Sequence, residues 1–225
     1  MSNSASPFGA AHFAPPTDKD RRGIAKGMMH NFSGMFVSLD DGRNPPWRGM
    51  PMVHALSLFS LDPRVDRIET FAERVTVMVG GKKVSRIPAI RLHCGTFRVT
   101  VDVVVSPQDA EITEALKWAY SRRGDRYEVL TSDQVKAQPR LRHARLVLCA
   151  RRYVPPPEVE VGIVRTLSMP GTHTVDSVVR ALAGQPNVRE AVFAMCTQRR
   201  LGINLQAGTP GQMSVWLLPA CGRRP

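Results

Sequence analysis

The sequence predicts an α/β protein: a mixed β-sheet flanked by helices, followed by a small module of two helices and two strands. Three observations predict it. Between residues 65 and 130, short β-branched runs and turn signals follow the order hairpin, strand, helix, strand, which builds a mixed sheet with helices against it. The stretch Phe97 to Val105 alternates with period two, placing Phe97, Val99, Val101, Val103 and Val105 on one side and Arg98, Thr100, Asp102 and Val104 on the other. After Tyr153-Val-Pro-Pro-Pro157, a stiff break, the pattern restarts with two helical signals and two short strands. The expected division is a flexible N-terminal segment over 1–30, a sheet domain over 31–154 and a small module over 155–225.

Each element has its own signal. Residues up to about 25 are rich in Ser, Ala and Pro and then charged, which suits a disordered or loosely docked tail. Residues 34–49 are rich in turn formers. Met52, Leu56 and Phe59 stand at helical spacing over 50–61, and Asp62-Pro63 stops that helix. Strands are predicted over 65–71 and 75–79, and Gly80-Gly81 turns tightly into 82–92. A turn at Gly95 leads into the alternating strand. Ser106-Pro107-Gln-Asp109 predicts a capped helix start, with Ser106 as the cap, Pro107 in the first turn and Asp109 at the capping-box place. Ile112, Leu116 and Ala119 form its stripe and Gly124 ends it. Tyr127 to Leu130 reads as a strand and Thr131-Ser-Asp133 caps a brief helical turn. Beyond the proline break, helices are predicted from Thr174 to about Gly184 and from Asn187 to about Arg199. Strands over 201–205 and 213–218 complete a winged-helix-like order.

Composition narrows the function. The chain has 225 residues, 43% of them hydrophobic, enough for a substantial core. Thirty-one Lys and Arg against nineteen Asp and Glu give a net charge of +12, which favours a polyanionic partner, most often nucleic acid. Cys94, Cys149, Cys196 and Cys221 are scattered without a C-x-x-C pair, the pattern of free, mostly buried thiols in a reducing cytosol. No run approaches the length of a membrane span, and the N-terminus lacks an apolar signal core. The expectation is a cytoplasmic protein, nucleoid-associated when bound to DNA, with no membrane partner and no small-molecule cofactor.

Two stretches carry candidate chemistry. Pro88-Ala89 followed by Asp102-Val-Val104 is part of a metal-dependent nuclease layout. There, an Asp after the Pro and an acid-x-Lys on the next strand converge to hold Mg²⁺ and steady the attacking water. Ala89 stands at the first acid, Asp102 at the second, and Val104 at the Lys. The plainer alternative for Asp102 is a carboxylate hydrogen-bonded to neighbouring backbone or paired with Arg86, Arg91 or Arg98. The second stretch is basic: Lys136, Arg140, Arg142, Arg145, Arg151 and Arg152 fall with no acid between Asp133 and Glu158. As a helix it places Arg142, Arg145 and Arg152 near one face, with Leu141, Leu148 and Cys149 towards another. The functional reading is contact with DNA phosphates; the alternative is a solvated face. Arg199 and Arg200 either meet phosphate or complement a helix C-terminus. His93 beside Cys94 is the one pair worth checking for a metal.

From about Ser33 to Leu218 the chain resembles the TnsA-type endonuclease subunit of heteromeric bacterial transposases. The residues that carry the likeness are Gly34-Met-Phe-Val-Ser38, Gly42-Arg43, Trp47-Arg-Gly49, Leu61-Asp-Pro-Arg-Val65, Pro88-Ala89, Asp102-Val-Val104, Val129-Leu-Thr-Ser-Asp133 and the Arg-rich segment from Arg140 to Arg152. The resemblance implies a restriction-endonuclease-like (PD-(D/E)xK) fold, Mg²⁺ as the family's metal, DNA as substrate and a transposase or other mobile-element protein as partner. The family's helical Glu would fall at Arg48 or Met52, neither acidic, and Ala89 and Val104 replace two more functional groups. Asp102 remains as a remnant, with Asp62, Asp66 and Glu73 as substitutes that no spacing selects. The expectation is therefore a DNA-binding subunit of a transposition complex without cleavage and without a bound cofactor. A divergent Mg²⁺ endonuclease and a protein-binding scaffold are the alternatives.

Overall fold

The computed structural model describes residues 8–20, 33–36, 44–106 and 108–219. The turn at 38–42, Pro107 and Cys221 lie outside the described residues. The described residues form two compact units: 8–20, 33–36, 44–55 and 64–135 make the first, and 56–63 with 136–219 make the second. The protein is mixed α/β, with several sheets, one of them mixed, and helices against them.

The first unit holds β1 (His12–Ala14), β2 (Ser33–Met35), β3 (Pro46–Arg48), β4 (Arg67–Thr70), β5 (Arg74–Val79), β6 (Lys82–Arg86), β7 (Ile90–Cys94), β8 (Phe97–Val104), α2 (Ala110–Ser121), β9 (Arg126–Thr131) and most of the short α3 (Ser132–Lys136). The helix α1 (Met50–Phe59) straddles the division between units. The central sheet has the order β4-β7-β8-β9. β4, β7 and β8 run antiparallel, and β9 lies parallel to β8 with Asp102 opposite Val129. That one parallel pair needs a crossover, which α2 supplies. The turn at Gly95 and the hairpin at Gly80-Gly81 form where the sequence places them. Both glycines of the hairpin have positive φ, +54° and +75°, a backbone that side chains with a Cβ resist.

The hairpin β5–β6 is an excursion. β4 pairs directly with β7, Thr70 opposite Ile90, while residues 71–89 leave the central sheet and build a second one in the order β1-β5-β6. Phe71 closes the excursion: its φ is +51° and its N–H donates to the Ala89 carbonyl at 3.1 Å. Val75, Val77 and Val79 of β5 pack with Ala115, Leu116, Ala119 and Tyr120 of α2 and Tyr127 of β9. Phe13 of β1 joins this core, its ring 5.2 Å from that of Tyr120. Part of the expected flexible segment is thus a strand whose half-buried Phe13 packs on this core. The start of α2 is also a correction. The cap is Asp109, not Ser106, and its carboxylate accepts from Glu111 N–H at 2.9 Å. An aspartate caps as well as a serine and adds charge complementary to the helix N-terminus.

The second unit contains α4 (Arg140–Cys149) with a 3₁₀ turn over Ala150–Arg152, α5 (Pro157–Leu167), β10 (His173–Thr174), α6 (Val175–Ala181), α7 (Val188–Thr197), β11 (Leu201–Ile203) and β12 (Ser214–Leu217). Its sheet order is β10-β12-β11, antiparallel throughout. One core joins Ala144, Val147 and Leu148 of α4 to Val159, Ile163 and Leu167 of α5 and to Val192 and Met195 of α7. The prolines after Tyr153 therefore do not divide this core. Pro156 caps and Pro157 opens α5, a helix the proline run hides in the sequence. Gly162 lets α5 and α6 approach closely, since a Cβ there would lie 2.8 Å from Leu182 Cδ2. The expected boundary at 154/155 falls inside this unit.

Candidate functional site

Asp102 sits in β8 with both oxygens occupied. The Ala89 N–H donates to Oδ1 at 3.0 Å and the Tyr127 hydroxyl donates to Oδ2 at 2.6 Å. Burial pushes its carboxyl above the ordinary value, opposed by the donors Tyr127 and Ala89 and by the charge of Arg86. Tyr127 stacks on Tyr120 with ring centroids 5.5 Å apart, and burial together with the nearby Asp102 charge holds its phenol strongly protonated. Ala89 uses both main-chain groups here, its carbonyl for Phe71 and its N–H for Asp102. Asp102 therefore fastens the point where the β5–β6 excursion rejoins the sheet. Val104, two residues on, is partly buried and pairs with Thr131.

This donor set does not fit Mg²⁺. The ion needs oxygen acceptors in octahedral array, whereas Asp102 is surrounded by an N–H and an O–H that already point at its carboxylate. Among the described residues no group of three or more His, Cys, Asp or Glu could hold a metal. The substitute acids are committed elsewhere. Asp66 accepts the Gly95 N–H at the hairpin turn. Glu73 contacts Arg91 and accepts from Arg123 at 2.9 Å. Burial raises the Glu73 carboxyl, but these two guanidinium groups outweigh it and hold it below the ordinary range. Asp62 belongs to the second unit.

The same sheet face carries a structural ion network. Glu69 lies 2.7 Å from Arg67 and 3.9 Å from Arg91, and Arg98 donates to the buried Asp125 at 2.9 Å. His93 Nε2 is 3.2 Å from both Arg67 Nη2 and Glu69 Oε2. Cys94 is buried and, as the next residue along the strand, faces the opposite side, so His93 and Cys94 do not converge on a metal.

The basic residues fare differently. On α4, Arg142, Arg145, Leu146 and Cys149 are exposed, and Arg152 of the following turn is too. They recur at the three- and four-residue steps of one helix face. Leu141, Val147 and Leu148 are buried, as is His143, whose Nδ1 lies 3.0 Å from the Leu205 carbonyl. Cys149 thus belongs to the arginine face and not to the leucine face. Among the described residues, Arg142, Arg151 and Arg152 make no ion pair. Lys136 is exposed and Arg140 half-buried. Arg200 pairs with Glu160 at 2.7 Å, and Arg199 is half-buried with φ +55° at the end of α7. Residues 191–197 of α7 are buried without exception, and its exposed residues are Arg189 and Glu190 in the first turn.

Sequence reasoning passed over one basic set. Lys82, Lys83 and Arg86 of β6 are exposed, within a stretch that has no acid between Glu73 and Asp102. The missing acids were a readable signal. The chain matches no protein-family model and no curated protein.

Proposed function

We propose that this protein is a DNA-binding, catalytically degenerate TnsA-like subunit that acts in DNA transposition or a related mobile-element complex. The observation that carries the DNA contact is the outward stripe of α4 and its following turn, Arg142, Arg145, Arg151 and Arg152. Between residues 136 and 219 there are eleven Lys and Arg against four Asp and Glu, so little nearby charge opposes it. Such a stripe neutralises phosphates and releases counterions, independent of base sequence. The order of strands and helices around β4-β7-β8-β9, with one parallel pair, supports a restriction-endonuclease-like core. The order α5, β10, α6, α7, β11, β12 supports a winged-helix-like module. Asp102's committed oxygens support loss of cleavage.

The test incubates supercoiled plasmid with the protein in Mg²⁺, Mn²⁺ or EDTA, beside Asp102→Ala. Salt-sensitive binding without nicking is expected in every metal. Metal-dependent nicking that disappears in Asp102→Ala would overturn the proposal in favour of an active endonuclease. Failure to bind DNA at low salt would favour a protein scaffold.

A further inference from the structure

We propose that the β5–β6 hairpin is a second phosphate contact for double-stranded DNA, made by Lys82, Lys83 and Arg86; this rests on the DNA-binding reading above. From residue 74 to residue 101 there are six Lys and Arg and no Asp or Glu. β6 is an outer strand of its sheet, and Lys82, Lys83, Ser85 and Arg86 along it are exposed. Among the described residues, Lys82, Lys83 and Arg86 make no ion pair, although the Arg86 charge also acts on Asp102, in contrast to Arg67, Arg91, Arg98 and Arg123, which the network on the central sheet consumes.

The geometry selects phosphate over base edges. A free two-stranded ribbon fits the major groove. Here Val79, next to the turn, is only 8% exposed, so the hairpin lies flat on its core and does not project into a groove. What it offers is a rim. Lys82 and Arg86 stand on one side of the strand and Lys83 on the other, around a turn whose two glycines add no bulk. An antiparallel strand rises about 3.4 Å per residue, so Lys82 and Arg86, four residues apart, stand about 14 Å apart, enough to meet separate phosphates of one DNA backbone. Lysines on an outer strand also deter edge-to-edge association. That role needs charge of either sign, whereas phosphate contact needs positive charge.

The measurement is fluorescence anisotropy of a labelled duplex across a salt series, for the wild type, Lys82→Gln/Lys83→Gln/Arg86→Gln, Lys82→Glu/Lys83→Glu and Arg142→Gln/Arg152→Gln. The triple variant is expected to make the slope of log K against log salt shallower by about 2.7, and the α4 variant by about 1.8. The charge-reversed pair is expected to weaken binding further at unchanged Tm and sedimentation. If only the α4 variant loses slope, the hairpin inference falls and the proposed function stands. A wild type without salt-sensitive DNA binding overturns both. Loss confined to phosphatidylserine vesicles would overturn the hairpin inference in favour of a lipid surface. Acetylation of Lys82 and Lys83 in the wild type, read by mass spectrometry with and without duplex, decides the matter without any variant. Protection by DNA supports the contact, and equal labelling overturns it.

Discussion

Asp102 is pulled two ways: burial opposes its charge, while Tyr127, Ala89 and Arg86 favour it. Because burial wins, the folded protein holds the Asp102 proton to higher pH than the unfolded chain does. Its contribution to stability is then greatest below the ordinary aspartate value and is lost as pH rises through the raised folded value. Glu73 has the opposite sign. Its carboxyl is lowered, so its stabilisation is present above the ordinary glutamate value and is lost as pH falls through the lowered one. Urea denaturation across pH should show both, with Asp102→Asn removing the first dependence and Glu73→Gln the second. Asp102→Asn should cost less than about 1 kcal/mol, because the amide oxygen still accepts from Ala89. Asp102→Ala should cost about 2 kcal/mol by orphaning the Ala89 N–H and leaving the Tyr127 hydroxyl only the Gln108 carbonyl at 3.4 Å. Glu73→Gln should cost about 3 kcal/mol at pH 7, since it leaves Arg91, whose side chain is 11% exposed, with only Glu69 at 3.9 Å as an ion partner. The sequence located Asp102 and left its hydrogen-bonded alternative open. It could not show that Tyr127, twenty-five residues away, reaches the second oxygen.

Among the elements, α4 divides its faces by chemistry: core on Leu141, Val147 and Leu148, solvent on the arginines. Arg142→Gln/Arg152→Gln should therefore leave Tm unchanged while making the salt dependence of DNA binding shallower by about 1.8 in anisotropy. Asp109→Ala, by contrast, should lower stability by about 1 kcal/mol without touching DNA binding, because it removes the cap of α2. Periodicity made β5, β8, β9, α2, α6 and α7 legible, but it read 82–92 as one run where the structure has β6 and β7 in different sheets. It failed at α5 because the proline run reads as a break, although Val159, Ile163 and Leu167 keep helical spacing behind it. It also failed at β1, where three residues are ordered by pairing with β5, a contact that no local pattern announces.

At the scale of the molecule, burial sorts the thiols. Cys149 is exposed, whereas Cys94 and Cys196 are buried, and burial pushes the Cys196 thiol far up. In a Cys221→Ser background, a thiol-reactive dye should label Cys149 in the native protein and reach Cys94 and Cys196 only on unfolding, and Cys149→Ser should remove that native-state signal. The net charge of +12 was legible from composition, but its division between ion pairs consumed by the sheet network and charges left on β6 and α4 was not. Strand positions alone cannot say which cations meet an acid from another strand. The excursion between β4 and β7 carries a kinetic consequence. Joining Thr70 to Ile90 directly means closing a loop of nineteen residues, 71–89. A two-residue turn lets β5 and β6 zip first, in microseconds, and shortens the span still free to about eight residues. That saves roughly 0.8 kcal/mol of closure entropy before the central sheet forms. Amides of the hairpin should accordingly gain protection earlier than those of β4 in pulse-labelled hydrogen exchange, making the ornament on the sheet the chaperone of its register.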